Sequence, residues 1–384
     1  MRTTRPQARR ATPWLLATLC LSAVSAKTAQ CEDQPFMGAY LNIPRMFDSS
    51  SDIPTRERSI EEQLDRFKAS GLRVVMPYAT TTAGASLYPT DIIPTNLYPN
   101  WDPLRVVVRA ARARGLQVYP VICVLACGKN EPKGILRQHP DWALRDDTGS
   151  PIGHISPCHP QARAWVVSVL QEIAGKYKPD GLLLDYLRFN NRPMQLDPQG
   201  AIEFDKLMSD KSATDRTQAL QRFKEDCLTE LMRNISVELR RQQPEIKLAI
   251  YSWGPHVTQN HRVAQDWGTW AKNKYIDMVN VSGYCFPKNY GDRYLQVFED
   301  RIQGALDINK KLGQPIDVTV CLGIRTSHGQ IDKASDVDDY LSIASRLGVD
   351  GTAVFMWSYV QPYLDDIKQH GYFEKFENGV KGHP

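Results

Sequence analysis

A chain of 384 residues, 42% apolar and 23% charged, with 24 Gly and 25 Pro, has an ordinary globular composition, so disorder, collagen and coiled coil are excluded. Its net charge of +4 is local: Arg2, Arg5, Arg9 and Arg10 stand in a segment without acids, and the remaining 43 basic residues match 43 acidic ones. Nucleic acid or an anionic membrane as partner therefore loses its electrostatic warrant.

Residues 1–26 read as a secretory signal: the four arginines, an apolar stretch over 14–24, and Val24-Ser25-Ala26 as a small-residue cleavage site before Lys27. The apolar stretch is shorter than the ~20 residues a spanning helix needs. The mature chain is expected to be exported, periplasmic or extracellular, with no membrane span. Of eight cysteines, Cys20 leaves with the signal; Cys31, Cys123, Cys127, Cys158, Cys227, Cys285 and Cys321 remain, an odd and scattered set that is no disulfide framework. Cys127 and Cys158 fall in loops, where pairing under oxidation stays open. His154, Cys158 and His159 match no standard zinc spacing, so neither metal nor cofactor is expected.

Eight short apolar runs follow, at 37–41, 73–78, 117–124, 181–187, 247–253, 277–284, 317–324 and 352–359. Most lack alternation, as strands buried on both faces of a parallel sheet do. Helical patterns lie between them. Ser59 with Glu62 forms a capping-box pattern ahead of the stripe Ile60, Leu64, Phe67. Asp102-Pro103 opens the next helix and Gly115 closes it. Further patterns cover 161–177, 217–241, 264–272, the stripe Leu295, Phe298, Ile302, Leu306, then 337–347 and 362–376. Glycine stands at three helix-to-strand junctions, Gly71, Gly115 and Gly348. Eight alternations predict a (β/α)8 TIM barrel over 27–384, with long βα loops at 79–100, 125–156, 190–213 and 254–264.

Barrel chemistry sits where strands end. In Asp180-Gly181-Leu182-Leu183-Leu184-Asp185-Tyr186-Leu187-Arg188-Phe189, Asp185 is an acid at the exit of an apolar strand, where a carboxylate needs a partner or a function. Arg188 and Tyr186 stand near enough to tune it; an Asp185–Arg188 ion pair is the structural alternative. Asn42, Tyr78, Trp253, Tyr284, Trp357 and Tyr359 mark other strand ends, and aromatic faces there suit sugar rings, or plain core packing. Glycoside hydrolysis usually uses two carboxyl groups. The candidate second acid is Asp266, which caps a helix on the alternative reading; Asp292 and Glu131 are outsiders, and a substrate acetamido group is a further option. The end of strand one lacks His-x-His, and no serine elbow or phosphate loop occurs. Asn234-Ile235-Ser236 and Asn280-Val281-Ser282 match the N-glycosylation pattern, which is usually chance.

The strand-four segment resembles the DG-(hydrophobic)3-D-Y-x-R strand of the glycosyl-hydrolase-like family ten. So do His139-Pro140-Asp141-Trp142 with Ser156-Pro157-Cys158-His159-Pro160, and Gln265-Asp266-Trp267 with Trp270 and Tyr275-Ile276-Asp277. The ordered set covers most of the mature chain. It departs from the family pattern at Ser156-Pro157, where Asp-Pro is usual, and at Ser282-Gly283-Tyr284, where Pro-Gln-x-Tyr is usual. The resemblance implies a (β/α)8 barrel and a glycosidase acting on exported polysaccharide or cell-wall glycan. The expected site is Asp185 as nucleophile or electrostatic stabiliser and Asp266 as acid/base. Tyr186 and Arg188 would tune Asp185, with Asn42, Tyr78, Trp253, Tyr284 and Trp357 along the groove. The alternative is a catalytically inactive glycan-binding or scaffold barrel.

Overall fold

In a computed structural model, which describes residues 1, 34–209, 213–258 and 260–382, strands form on all eight apolar runs. They are β1 (Phe36–Leu41), β2 (Val74–Pro77), β3 (two pieces, Gln117–Val118 and Val121–Cys123), β4 (Gly181–Asp185), β5 (Lys247–Ser252), β6 (Met278–Ser282), β7 (Asp317–Gly323) and β8 (Gly351–Phe355). Residues 35–384 form one compact unit. The signal-like segment and Cys31 lie outside the described residues.

All pairings among these strands are parallel, in the order β2-β1-β8-β7-β6-β5-β4. β3 closes the circle. Its first piece pairs with β2 and its second with β4. Tyr119-Pro120 separates the two pieces, and proline has no N–H to give a ladder, so the strand bends there. The fold is a (β/α)8 barrel.

The surrounding helices are α1 (Ile53–Ala69), α2 (Pro103–Ala113), α3 (Pro160–Tyr177), α4 (Pro198–Leu207), α5 (Ala213–Gln242), α6 (Trp267–Lys272), α7 (Tyr294–Lys310), α8 (Ser335–Leu347), α9 (Leu364–His370) and α10 (Tyr372–Lys381). One expected start is corrected. α1 begins at Ile53, with Asp52 accepting from the Thr55 N–H and Pro54 in the first turn. Ser59 lies inside the helix, and its hydroxyl donates to the Met46 carbonyl. Asp102 caps α2 as expected, accepting from the Arg105 N–H. The closing helix is divided at Gly371, whose φ of 65° interrupts it. Gly348 ends α8 at φ 76°, the left-handed turn into β8.

Two apolar layers result. Residues such as Leu182, Leu184, Ile250 and Val279 face the helices. Tyr40, Met76, Leu183, Ala249, Tyr251, Met278, Cys321 and Ala353 fill the lumen. Side chains alternate along a strand, so Leu183 fixes the parity of β4, and Asp185, two residues on, points into the lumen at its C-terminal mouth. The same count sends Tyr78 of β2 and Trp253 of β5 inward after Met76 and Tyr251.

Candidate active site

Asp185 is 8% exposed. One carboxylate oxygen accepts the Tyr186 backbone N–H at 2.8 Å and the other accepts the Tyr78 hydroxyl at 3.3 Å. Burial pushes its pKa up from 3.8 to about 6, opposed by the Arg188 charge and by those two hydrogen bonds. Tyr186 is held at φ 55°, the left-handed region that a side chain other than glycine enters at a cost of about 1 kcal/mol. That turn brings its N–H back to Asp185 and closes an Arg188 N–H to Tyr186 carbonyl bond.

Aromatic rings circle the lumen around this acid. Tyr78 contacts Tyr40, Tyr40 contacts Phe355, Phe355 contacts Tyr284 and Tyr284 contacts Tyr251, with centroids 5.4–6.0 Å apart. Burial and the Asp185 charge both hold the Tyr40 and Tyr78 phenols well above their usual range, so they stay protonated donors. Tyr40 accepts from the Asn280 amide, whose oxygen accepts from Thr319. Asn280 is therefore fully buried in β6, out of reach of glycosylation.

Arg188 makes no ion pair with Asp185. Its guanidinium lies over Trp253 at 4.3 Å and over Tyr186 at 5.1 Å. Its carbonyl accepts from His154 Nε2, since a carbonyl can only accept; burial holds that imidazole neutral, at about 4. Gln265, fully buried, donates to the carbonyls of Leu187 and Tyr251 and so pins the loop after β4 to the end of β5.

Two expected site residues have structural partners of their own. Asp266 is the N-cap of α6: one oxygen accepts the Thr269 N–H at 3.2 Å and the other the Thr269 hydroxyl at 2.6 Å. Among the described residues it forms no bond with the Asp185 cluster, and no second carboxylate perturbs Asp185. Trp357 is buried against α1, its ring 5.1 Å from Phe67 and its N–H on Gln63. The chain turns into a short helix at Trp357, which breaks strand parity and sends this ring outward. Asn42 ends β1 half-buried, while Glu131 and Asp292 are exposed. Tyr40, Tyr251, Phe355 and Asn280 join the site unforeseen; counting in twos from the strand-end residues would have found all four.

The described cysteines are free and buried. Cys158 neighbours Cys227 of α5, whereas the Cys127 thiol donates to the Lys133 carbonyl. Cys127 and Cys158 thus have separate neighbours. Among the described residues no group of three or more His, Cys, Asp or Glu is gathered to hold a metal, and no helix is long and apolar enough to cross a membrane.

A parallel barrel with Asp185 buried among aromatic rings at its C-terminal mouth has the architecture of a (β/α)8 enzyme, with its candidate site where such barrels hold theirs. The glycosyl hydrolase-like 10 family model matches residues 52–342, and the chain belongs to that family. It is 24% identical over 200 residues to glycosyl hydrolase DigH of Escherichia coli (strain K12), a match spanning 43% of this chain and 45% of that protein. Its fold is similar to the PgaB (BpsB) glycoside hydrolase domain of Bordetella bronchiseptica, with a TM-score of 0.66 at 16% identity over 87% of this chain and 98% of that one. It is also similar to an endo-beta-1,4-mannanase from Thermotoga petrophila, with a TM-score of 0.53 at 13% identity over 85% and 68%. The match to the curated relative spans less than half of either protein's length.

Proposed function

We propose that the protein hydrolyses a glycosidic bond of a bacterial polysaccharide or cell-wall glycan outside the cytoplasm, with Asp185 as the reactive carboxylate. The observation that carries this is the environment of Asp185. It is a lumen-facing acid with a pKa near 6, oriented by two hydrogen bonds and free of any ion pair. At pH 7 such a group is mostly ionised. In that form it opposes the positive charge that develops at the anomeric carbon as the C–O bond breaks, by attack or by electrostatic stabilisation. Water supplies the hydroxyl to that carbon and a proton to the departing oxygen.

Tyr78 and the Tyr186 N–H fix the carboxylate's direction. Trp253 and Tyr284, half-buried at the rim, offer faces for sugar rings, with Asn42 at the end of β1 beside them. Asp266 acts through its helix cap rather than on substrate, and Trp357 supports the α1 interface.

A second reading is favoured by one observation, the lack of another carboxylate acting on Asp185. In it the barrel binds glycan without cleaving it. Both are tested by incubating the purified protein with cell-wall glycan strands and exopolysaccharides in H2(18)O, with products read by mass spectrometry. Shortened chains carrying one labelled oxygen at the new reducing end are expected. Bound but uncut glycan would overturn hydrolysis in favour of the binding barrel.

A further inference from the structure

Among the described residues, the mouth of the barrel holds Asp185 in its lumen and the guanidinium groups of Arg45, Arg188 and Arg325 on its rim; Arg188 feels the Asp185 charge, but none of the three forms an ion pair. Arg188 is the innermost. Among the described residues its one side-chain hydrogen bond runs from Nη1 to the carbonyl of its own neighbour Phe189, at 3.3 Å, and its buried Nε has no partner. Across the mouth, Arg45 of the β1 loop and Arg325 of the β7 loop lie over the same ring, Tyr359, at 5.1 and 5.5 Å. Tyr359 packs on the lumen cluster, as Trp253 does. By contrast, the arginines that form ion pairs, such as Arg109, Arg114 and Arg240, sit on the outer helices.

A cation taken half out of water is costly unless an anion meets it. Stacking on two rings holds the Arg188 fork in one plane but satisfies none of its N–H donors. A planar fork of donors matches a carboxylate in bidentate geometry. The anion must also sit close to the negative charge of Asp185, which favours a singly charged group over a dianion.

We propose that Arg188, with Arg45 and Arg325 across the mouth, forms a subsite for a carboxylate-bearing sugar residue, so that the glycan taken by this barrel is acidic. The subsite rests on Asp185 marking a glycan site, but it is tested by binding, independently of turnover.

The experiment uses Asp185→Asn protein, to exclude cleavage, and isothermal calorimetry. The probes are oligosaccharides of hyaluronan, heparosan, alginate and polygalacturonate, each also in its carboxyl-reduced form, where the acid becomes a neutral hydroxymethyl group. At least one acidic oligosaccharide is expected to bind, and to bind about tenfold more weakly once reduced. Adding Arg188→Gln should erase that difference. The exposed pair Arg45→Gln/Arg325→Gln should weaken binding about threefold and flatten its salt dependence. If Arg188→Gln fails to fold, judged by its thermal melt, the reduced probes and the exposed pair carry the test. Equal binding of acidic and reduced forms overturns the subsite. So does preference for neutral cello- or chito-oligosaccharides, binding that requires sulfate or phosphate, or no binding of any acidic probe. Hydrolysis that survives Asp185→Asn would instead overturn the catalytic assignment and leave this measurement standing.

Discussion

The aspartates at the two ends of the barrel differ in what they bond to. At the N-terminal end, Asp180, Asp277 and Asp350 stand just before or at strand starts, and each accepts a backbone N–H of an adjacent strand, from Val118, Leu248 and Val318 respectively. Asp277 is further paired with Arg240. These carboxylates tie the staves together and meet a hydrogen-bond demand of the sheet; burial raises the pKa of Asp350, and it pushes that of Asp317 at the start of β7 up to about 6. At the C-terminal end Asp185 closes no strand pairing. Its partners are a phenol and the next residue's N–H, it is buried, and its ionised form is disfavoured. The same residue type is structural where it meets an unpaired backbone donor. It is placed for chemistry at the C-terminal mouth, where it meets no strand N–H and faces the lumen.

That contrast is open to breaking by substitution. The largest effect is expected for Asp185→Asn, which should lower kcat by about a thousandfold while glycan is still bound and the circular dichroism spectrum stays unchanged. Retained turnover would remove the distinction between the two ends. Tyr78→Phe deletes a hydrogen bond that holds the Asp185 pKa down. Turnover at pH 6 should fall about tenfold, and the midpoint of the pH profile should move upward; an unmoved midpoint would detach Tyr78 from the acid.

Stability supplies a third test with a definite sign. The folded-state pKa of Asp185 is raised from 3.8 to about 6. Between those values the native state binds the extra proton, so stability falls as pH rises through the window, and the penalty is complete above pH 6. Asp185→Asn removes the penalty. It should be more stable than wild type at pH 7 by on the order of 2 kcal/mol, and about equal at pH 4, by urea melts. Asp180→Asn at the other end should show no such gain. The smallest effect is expected for Asp266→Ala. Loss of the α6 cap should cost about 1 kcal/mol of stability with kcat within a factor of about three. A thousandfold loss there would return Asp266 to the chemistry.

Most of the barrel was legible in the sequence because strands buried on both faces are written as short continuous apolar runs, and glycine marks the turns into them. Asp185 was legible for the same reason: an acid that ends such a run stands out. Local patterns misled where tertiary contacts decide. Ser59 and Glu62 have the spacing of a capping box, yet Asp52 and Pro54 start the helix a turn and more earlier. Asp266-Trp267 looked like a strand-end acid beside an aromatic, yet Thr269 takes both carboxylate oxygens. Trp357 follows a strand by the count of apolar residues, but the chain has already turned helical there. The closeness of Cys158 and Cys227 depends on α5 packing on α3, and no sequence spacing encodes that.

The dependence of kcat/KM on pH tests the role of Asp185 most directly, measured on the first glycan found to be cut. A rate-limiting carboxylate that acts in its ionised form predicts a limb rising with pH, with its midpoint near 6 and a plateau above 7. A profile flat from pH 4.5 to 7.5, or one that falls across that range, would contradict it.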